Sequence, residues 1–133
     1  DIALGVFASR SYLERKGGLH DPSQIADHDV VGYDADTSII DGMRDAGVPV
    51  DRHFFKVRCD DNIAYWNLVR AGCGVGFAQR GLGVGDPEIV EIDLGFPLPS
   101  LPVWLTAHEA MRHTPRVRRV WDMLAAGLAP LVS

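Results

Sequence analysis

Apolar positions along the chain fall into short runs separated by polar turn signals, and the run lengths predict alternating strands and helices. Ile2 to Ala8 is an unbroken apolar run, the pattern of a strand covered on both faces. Ser9 follows as a helix cap, and Tyr12 to Lys16 reads as a short helix stopped by Gly17 and Gly18. Asp21 with Pro22 and Gln24 has the spacing of a reciprocal cap, so a second short helix is predicted to run to about His28. Val30 to Tyr33 is a brief strand. The polar stretch from Asp34 to Ser38 can cap a helix from Ile39 to about Ala46, where Ile39, Ile40, Met43 and Ala46 recur at helical spacing. Gly47 and Pro49 end it.

Phe54 to Cys59 has strand character, and Asp60, Asp61 and Asn62 cap a helix that runs to Ala71. Val75 to Ala78, Ile89 to Ile92 and Val103 to Ala107 are further strands. The last helix is predicted with Thr114 as cap and Pro115 in its first position. Val117, Val120, Trp121, Leu124 and Leu128 form its apolar stripe. The alternation predicts an α/β class with mostly parallel pairing.

The chain has 133 residues, 47% hydrophobic and 23% charged. That describes one globular domain or part of one, with ample apolar material for a core. No stretch approaches the roughly 18 apolar residues of a membrane span, and Asp1-Ile2-Ala3 carries no leader-like basic region. A formal net charge of −5 argues against nucleic-acid binding by this chain alone. Cys59 and Cys73 sit in apolar stretches, which predicts reduced thiols and a cytoplasmic setting.

Three motifs suggest chemistry and are better read as structure. Gly72 to Gly76 is glycine-rich, but a helix ends there and a strand begins, the reverse of a dinucleotide fingerprint. His108 and His113 are five apart, not the four that puts two imidazoles on one helical face, so no metal site is expected. Cys73 has no adjacent base to make it a nucleophile. No enzymatic activity and no cofactor are therefore expected. The helix starts at Asp36-Thr37-Ser38 and Asp60-Asp61-Asn62 each follow a strand. That is the edge where open α/β sheets bind small ligands, although plain capping also explains them.

Several segments in order resemble the LysR-type transcriptional regulators. Ser9-Arg10-Ser11-Tyr12-Leu13 with Pro22 to His28 is similar to that family's Ser-Pro-x-Tyr-Leu helix and following Pro-x-Asp-Leu-x-x-His segment. Val69-Arg70-Ala71-Gly72-Cys73-Gly74-Val75 resembles its Val-x-Ala-Gly-x-Gly-Ile turn. Leu101 to Leu105 and Pro115 to Arg118 resemble its closing strand and helix. Arg10 stands where the family usually has Pro, and Gln79 where many members have Pro.

The resemblance implies a periplasmic-binding-protein-like (type II) fold holding one complete subdomain and the C-terminal part of the other. Residues 1–7 would be a crossing strand, 8–78 the second regulatory subdomain, and 79–133 the return to the first, with the winged helix-turn-helix absent. It implies a small-molecule effector in the cleft between subdomains, with Asp36, Thr37 and Ser38 lining it. Arg58 and Asp60 are added as residues of the same edge. The acidic cluster of Asp34, Asp36, Asp60 and Asp61 disfavours a strongly anionic effector unless Arg58 offsets it.

A homodimer or larger assembly is implied, packing through the helix from Ser38 to Ala46 and the strand from Phe54 to Val57. Ile39, Ile40 and Met43 could serve that interface or the core. DNA would be met only through the absent domain, and no membrane contact is expected. A solute-binding protein of similar fold, or an enzyme using Asp60 or His28 as acid or base, are the alternatives. The isolated chain is expected to expose apolar surface around Ile2 to Val6 and Val103 to Leu105, and to self-associate.

Overall fold

Strand β1 (Ile2–Ser9) organises the molecule, because its alternating side chains enter two different cores. Val6 and Ala8 face one cluster with Tyr12, Ile25, Val30, Met43, Phe55 and Ile92. Phe7, fully buried, faces the other with Val31, Tyr65, Val69 and Ile89. Burial of a side chain of this size contributes about 1.5–3 kcal/mol, which is why the run carries no polar residue until Ser9. The computed structural model describes residues 1–111 and 113–132.

The order of elements follows the predicted alternation. After β1 come α1 (Arg10–Lys16), a 3₁₀ turn (Pro22–Asp27), β2 (Val31–Gly32), α2 (Ser38–Asp45), a 3₁₀ turn (Arg52–Phe54), β3 (Val57–Arg58) and α3 (Asn62–Arg70). Then follow β4 (Gly76–Gln79), α4 (Arg80–Gly83), β5 (Ile89–Ile92), β6 (Ser100–Leu101) and α5 (Pro115–Leu128). Local chemistry fixes many of the boundaries. Ser9 accepts the Tyr12 N–H and starts α1, and Gly17 at φ 103° ends it. The Asp21 and Gln24 side chains accept each other's backbone N–H, the reciprocal cap read from the sequence. Gly72, at φ 82°, turns the chain out of α3. Gly74 lies so close to the Asp29 carbonyl that a Cβ there would strike the backbone.

Pairing direction departs from the predicted parallel sheet. β1 is antiparallel to β4, β5 and β6, whereas β2 and β3 pair in parallel and Val30 bridges Val75 in parallel. Alternating helices and strands suggest crossover units. The neighbours of β1, however, are strands from much later in the chain that run back along it, and antiparallel strands need no crossover.

Three local expectations are corrected. The predicted strand from Phe54 to Val57 is strand only at Val57: Phe54 ends a 3₁₀ turn started by Asp51 accepting the His53 N–H, and Phe55 and Lys56 are neither helix nor strand. Residues 102–108 contain no strand among the described residues, and pairing with β1 is made two residues earlier by Ser100 and Leu101. Thr114 precedes α5 without a side-chain cap, offering its backbone carbonyl to the Arg118 N–H.

Val117, Val120, Trp121 and Leu124 of α5 line an open pocket together with Leu105, Thr106 and Ala107, and none of the helix residues is fully buried. Trp104 is 82% exposed and Val103 42%. At the other predicted exposed surface, Ile2, Ala3 and Leu4 are half-buried and Val6 is buried, because β4, β5 and β6 cover β1. The motif from His108 to His113 contains a 3₁₀ turn over Glu109–Met111, and its Arg112 lies outside the described residues.

Candidate functional site

The ends of β2 and β3 and the starts of α2 and α3 meet at one edge. The Asp60 carboxylate accepts the N–H groups of Asp34, at 2.8 Å, and Ala35, at 3.1 Å, holding the loop that leads into α2. Asp34 in turn takes Arg52 at 2.8 Å and Arg58 at 2.9 Å on a single carboxylate oxygen, and the two guanidinium groups, Arg58 first, hold its carboxyl below the ordinary range. Arg58 also donates to the carbonyls of Arg52 and Phe55. The two basic residues of this edge are therefore spoken for.

Around the start of α2, Asp36 does the capping. Its carboxylate accepts the Ser38 N–H at 2.7 Å, and the Ser38 hydroxyl and amide keep its pKa low. Thr37 occupies the cap position, but its hydroxyl donates to Asp41 instead of accepting a helix N–H. At α3 the cap is Asp61, which accepts the Ala64 N–H. All five predicted site residues thus share one edge. Of them only Ser38 lines the adjoining cleft.

That cleft has a volume of about 750 Å³ and opens to solvent. One wall is the face of α2 carrying Ser38, Ile39, Gly42 and Asp45, residues three and four apart. A second wall is α3, where Asn62, Tyr65 and Trp66 share a face, backed by Phe77, Ala78 and Gln79 of β4. The third is the segment from Leu94 to Leu101, which brings Phe96, Pro97 and Pro99 to the cleft.

Aromatic rings dominate the interior. Tyr33 and Tyr65 lie 4.9 Å apart between centroids, and Trp66 meets Phe7 edge-on at 5.7 Å. The buried Tyr65 hydroxyl donates to the Val31 carbonyl and accepts the Phe77 N–H, tying β2, α3 and β4 together. Burial pushes its pKa far up. Tyr33 donates to Asn62 at 3.2 Å, and its phenol is raised by burial and by the nearby Asp36 and Asp60 carboxylates.

Most of these lining residues escape a reading of the sequence. The spacing of Asn62, Tyr65 and Trp66 carries a signal, since positions three and four apart share a helix face. Ile40 and Met43 are buried in the core, Met43 also reaching the cleft, and Ile39 is half-buried at the cleft's border. Among the described residues no group of three or more His, Cys, Asp or Glu could hold a metal ion, and no helix is long and apolar enough to cross a membrane.

The sequence matches the LysR substrate binding domain over residues 1–129. The chain belongs to that family. The LysR substrate-binding domain has a periplasmic-binding-protein-like fold, and solved structures agree. The regulatory domain of CrgA, a LysR-type transcriptional regulator from Neisseria meningitidis, is 17% identical with a TM-score of 0.68, over 96% of this chain and 65% of that one. The effector domain of the transcriptional regulator AmpR of Pseudomonas aeruginosa is 18% identical with a TM-score of 0.62, over 98% of this chain and 63% of that one. The substrate-binding domain of a putative molybdenum ABC transporter from Clostridium difficile has a TM-score of 0.54 at 12% identity, over 69% of this chain and 42% of that one. At such identities the likeness shows the fold. This LysR-type domain spans just under two thirds of the CrgA and AmpR domain chains. A comparison with curated proteins gave no match.

Proposed function

We propose that this chain is the C-terminal part of the effector-binding domain of a cytoplasmic LysR-type regulator, and that a small molecule binds in the cleft walled by α2, α3, β4 and residues 94–101. In this reading residues 8–78 form one regulatory lobe, and 1–7 and 79–133 belong to the other. Effector binding favours one arrangement of the lobes over another, and a DNA-binding domain elsewhere in the parent protein, working as a homodimer, feels the difference.

The observation that carries the proposal is the cleft itself. It is large enough for a small metabolite and mostly apolar, with Ser38 and Asn62 among its polar lining residues. Ser38 contacts the effector directly. Asp36, Thr37, Arg58 and Asp60 act by holding the loop and helix that present it.

A thermal-unfolding screen of small molecules on the whole chain tests this. Gly42 faces open space, so Gly42→Trp places an indole in the cleft. Stabilising compounds should lose their effect in Gly42→Trp. A set of hits indifferent to that substitution would place binding elsewhere and end the proposal.

A further inference from the structure

Resting on that reading, we infer that the effector is an organic cation, an ammonium on an apolar body, with Asp45 as its counter-ion. Four half-buried rings, Tyr33, Trp66, Phe77 and Phe96, line the cleft. The face of such a ring attracts a cation that has shed part of its water. No Lys, Arg or His lines the cleft among the described residues, so no lining group opposes a positive charge or pairs with an anion. Arg52 and Arg58, on the adjoining edge, are both held on one oxygen of Asp34.

Asp45 is the one carboxylate of the lining among the described residues. It ends α2 on the face that also carries Ser38 and Gly42. A carboxylate is disfavoured there, because the last turn already bears the negative end of the helix dipole. No cationic side chain among the described residues pairs with it, and its neighbour Arg44 donates instead to the Val50 carbonyl. An ammonium beside Asp45 relieves both the missing partner and the repulsion.

Two more carboxylates stand near Tyr33. Asp60 accepts the N–H groups of Asp34 and Ala35, which follow Tyr33 in the chain, and Asp36 belongs to the same loop. After burial, these two carboxylates are what raises the Tyr33 phenol. Neither has a Lys or Arg partner among the described residues, so both add to the negative potential on this side of the cleft. A metal ion is poorly served by comparison. Hard cations take about six or more oxygen ligands, and among the described residues no three His, Cys, Asp or Glu gather to hold one.

Calorimetric titration of the whole chain at neutral pH with 2-naphthylmethylammonium, 2-naphthylmethanol and 2-naphthoate tests the charge. The ammonium is expected to bind about tenfold more tightly than the alcohol, and more tightly still than the naphthoate. Its advantage should shrink as salt rises. Asp45 is exposed, so Asp45→Asn should fold normally, weaken the ammonium about threefold and leave the alcohol unchanged. Glu14→Gln, which removes an exposed charge of α1 outside the cleft, should change neither. Gly42→Trp should abolish ammonium binding, and Ala46→Trp blocks the same helix face if that variant does not fold.

Alcohol or naphthoate binding as tightly as the ammonium, still blocked by the tryptophan, overturns the inference and leaves the cleft as the site. So does an equal loss in Asp45→Asn and Glu14→Gln, which would make net charge the attraction. Binding of no probe, or ammonium binding insensitive to both the tryptophan and Asp45→Asn, overturns the cleft reading and the inference together.

Discussion

The carboxylate of Asp60 accepts the backbone N–H of Asp34 at 2.8 Å, joining the start of one helix to the loop before another. With the second bond to Ala35, this contact fixes the path of the chain into Asp36, Thr37 and Ser38. Asp60→Ala is expected to release the loop while leaving the core intact. Hydrogen exchange at the Asp34 and Ala35 amides should accelerate, and global stability should fall by only about 1 kcal/mol, because the bonds are exposed. Unchanged exchange at those two amides would show that the loop is held by other contacts.

The Tyr65 and Tyr33 rings meet at a tilt of 42° but carry different burdens. The Tyr65 hydroxyl is buried between the Val31 carbonyl and the Phe77 N–H. Tyr65→Phe leaves both backbone groups short of a partner and should cost about 1–3 kcal/mol in denaturant unfolding. Tyr33→Phe removes only an exposed bond to Asn62 and should stay within about 0.5 kcal/mol of the parent. Equal losses in the two variants would contradict the assigned network.

Acid stability should depend on Asp29. Its carboxyl is held below the ordinary 3.8 chiefly by the Lys56 ammonium, with Lys16 adding to the effect at 4.0 Å. A carboxyl lowered by folding contributes stability that is whole above its unfolded-state value. The contribution drains away as pH falls through the lower folded-state value. Lys56→Met should therefore flatten the loss of stability below about pH 4, as seen in denaturation midpoints across pH 2–5. Identical acid limbs in the two proteins would show that the pair contributes nothing.

Much of this architecture is legible in the residues because it is set by local chemistry. The Ser9 cap, the Asp21–Gln24 reciprocal cap and the glycine exit from α3 each need only neighbours a few positions away. Strands are harder to read where a distant partner decides the outcome. Residues 103–107 have the composition of a strand, but a strand exists by hydrogen-bonding to another, and among the described residues these five have no such ladder. Phe54 and Phe55 likewise read as strand, yet their rings meet at 87° beside a turn that Asp51 caps.

The site divides along the same line. Its acidic edge can be found from helix starts alone. The aromatic cleft cannot, because Tyr33, Trp66, Phe77 and Phe96 come from four separate stretches and converge only in three dimensions. Nor does the sequence say that Arg58 is bound to Asp34. That pairing turns an apparent anion ligand into a brace for the loop.

One ribbon of eight residues is stitched to β6 at its first two positions and to β4 and β5 over the remainder. Any swing of the 100–101 edge relative to the aromatic wall must then be taken up as torsion near Ala3 and Leu4, where the stitching changes hands. A glycine placed at Ala3 would soften that joint, and a proline there would cut it.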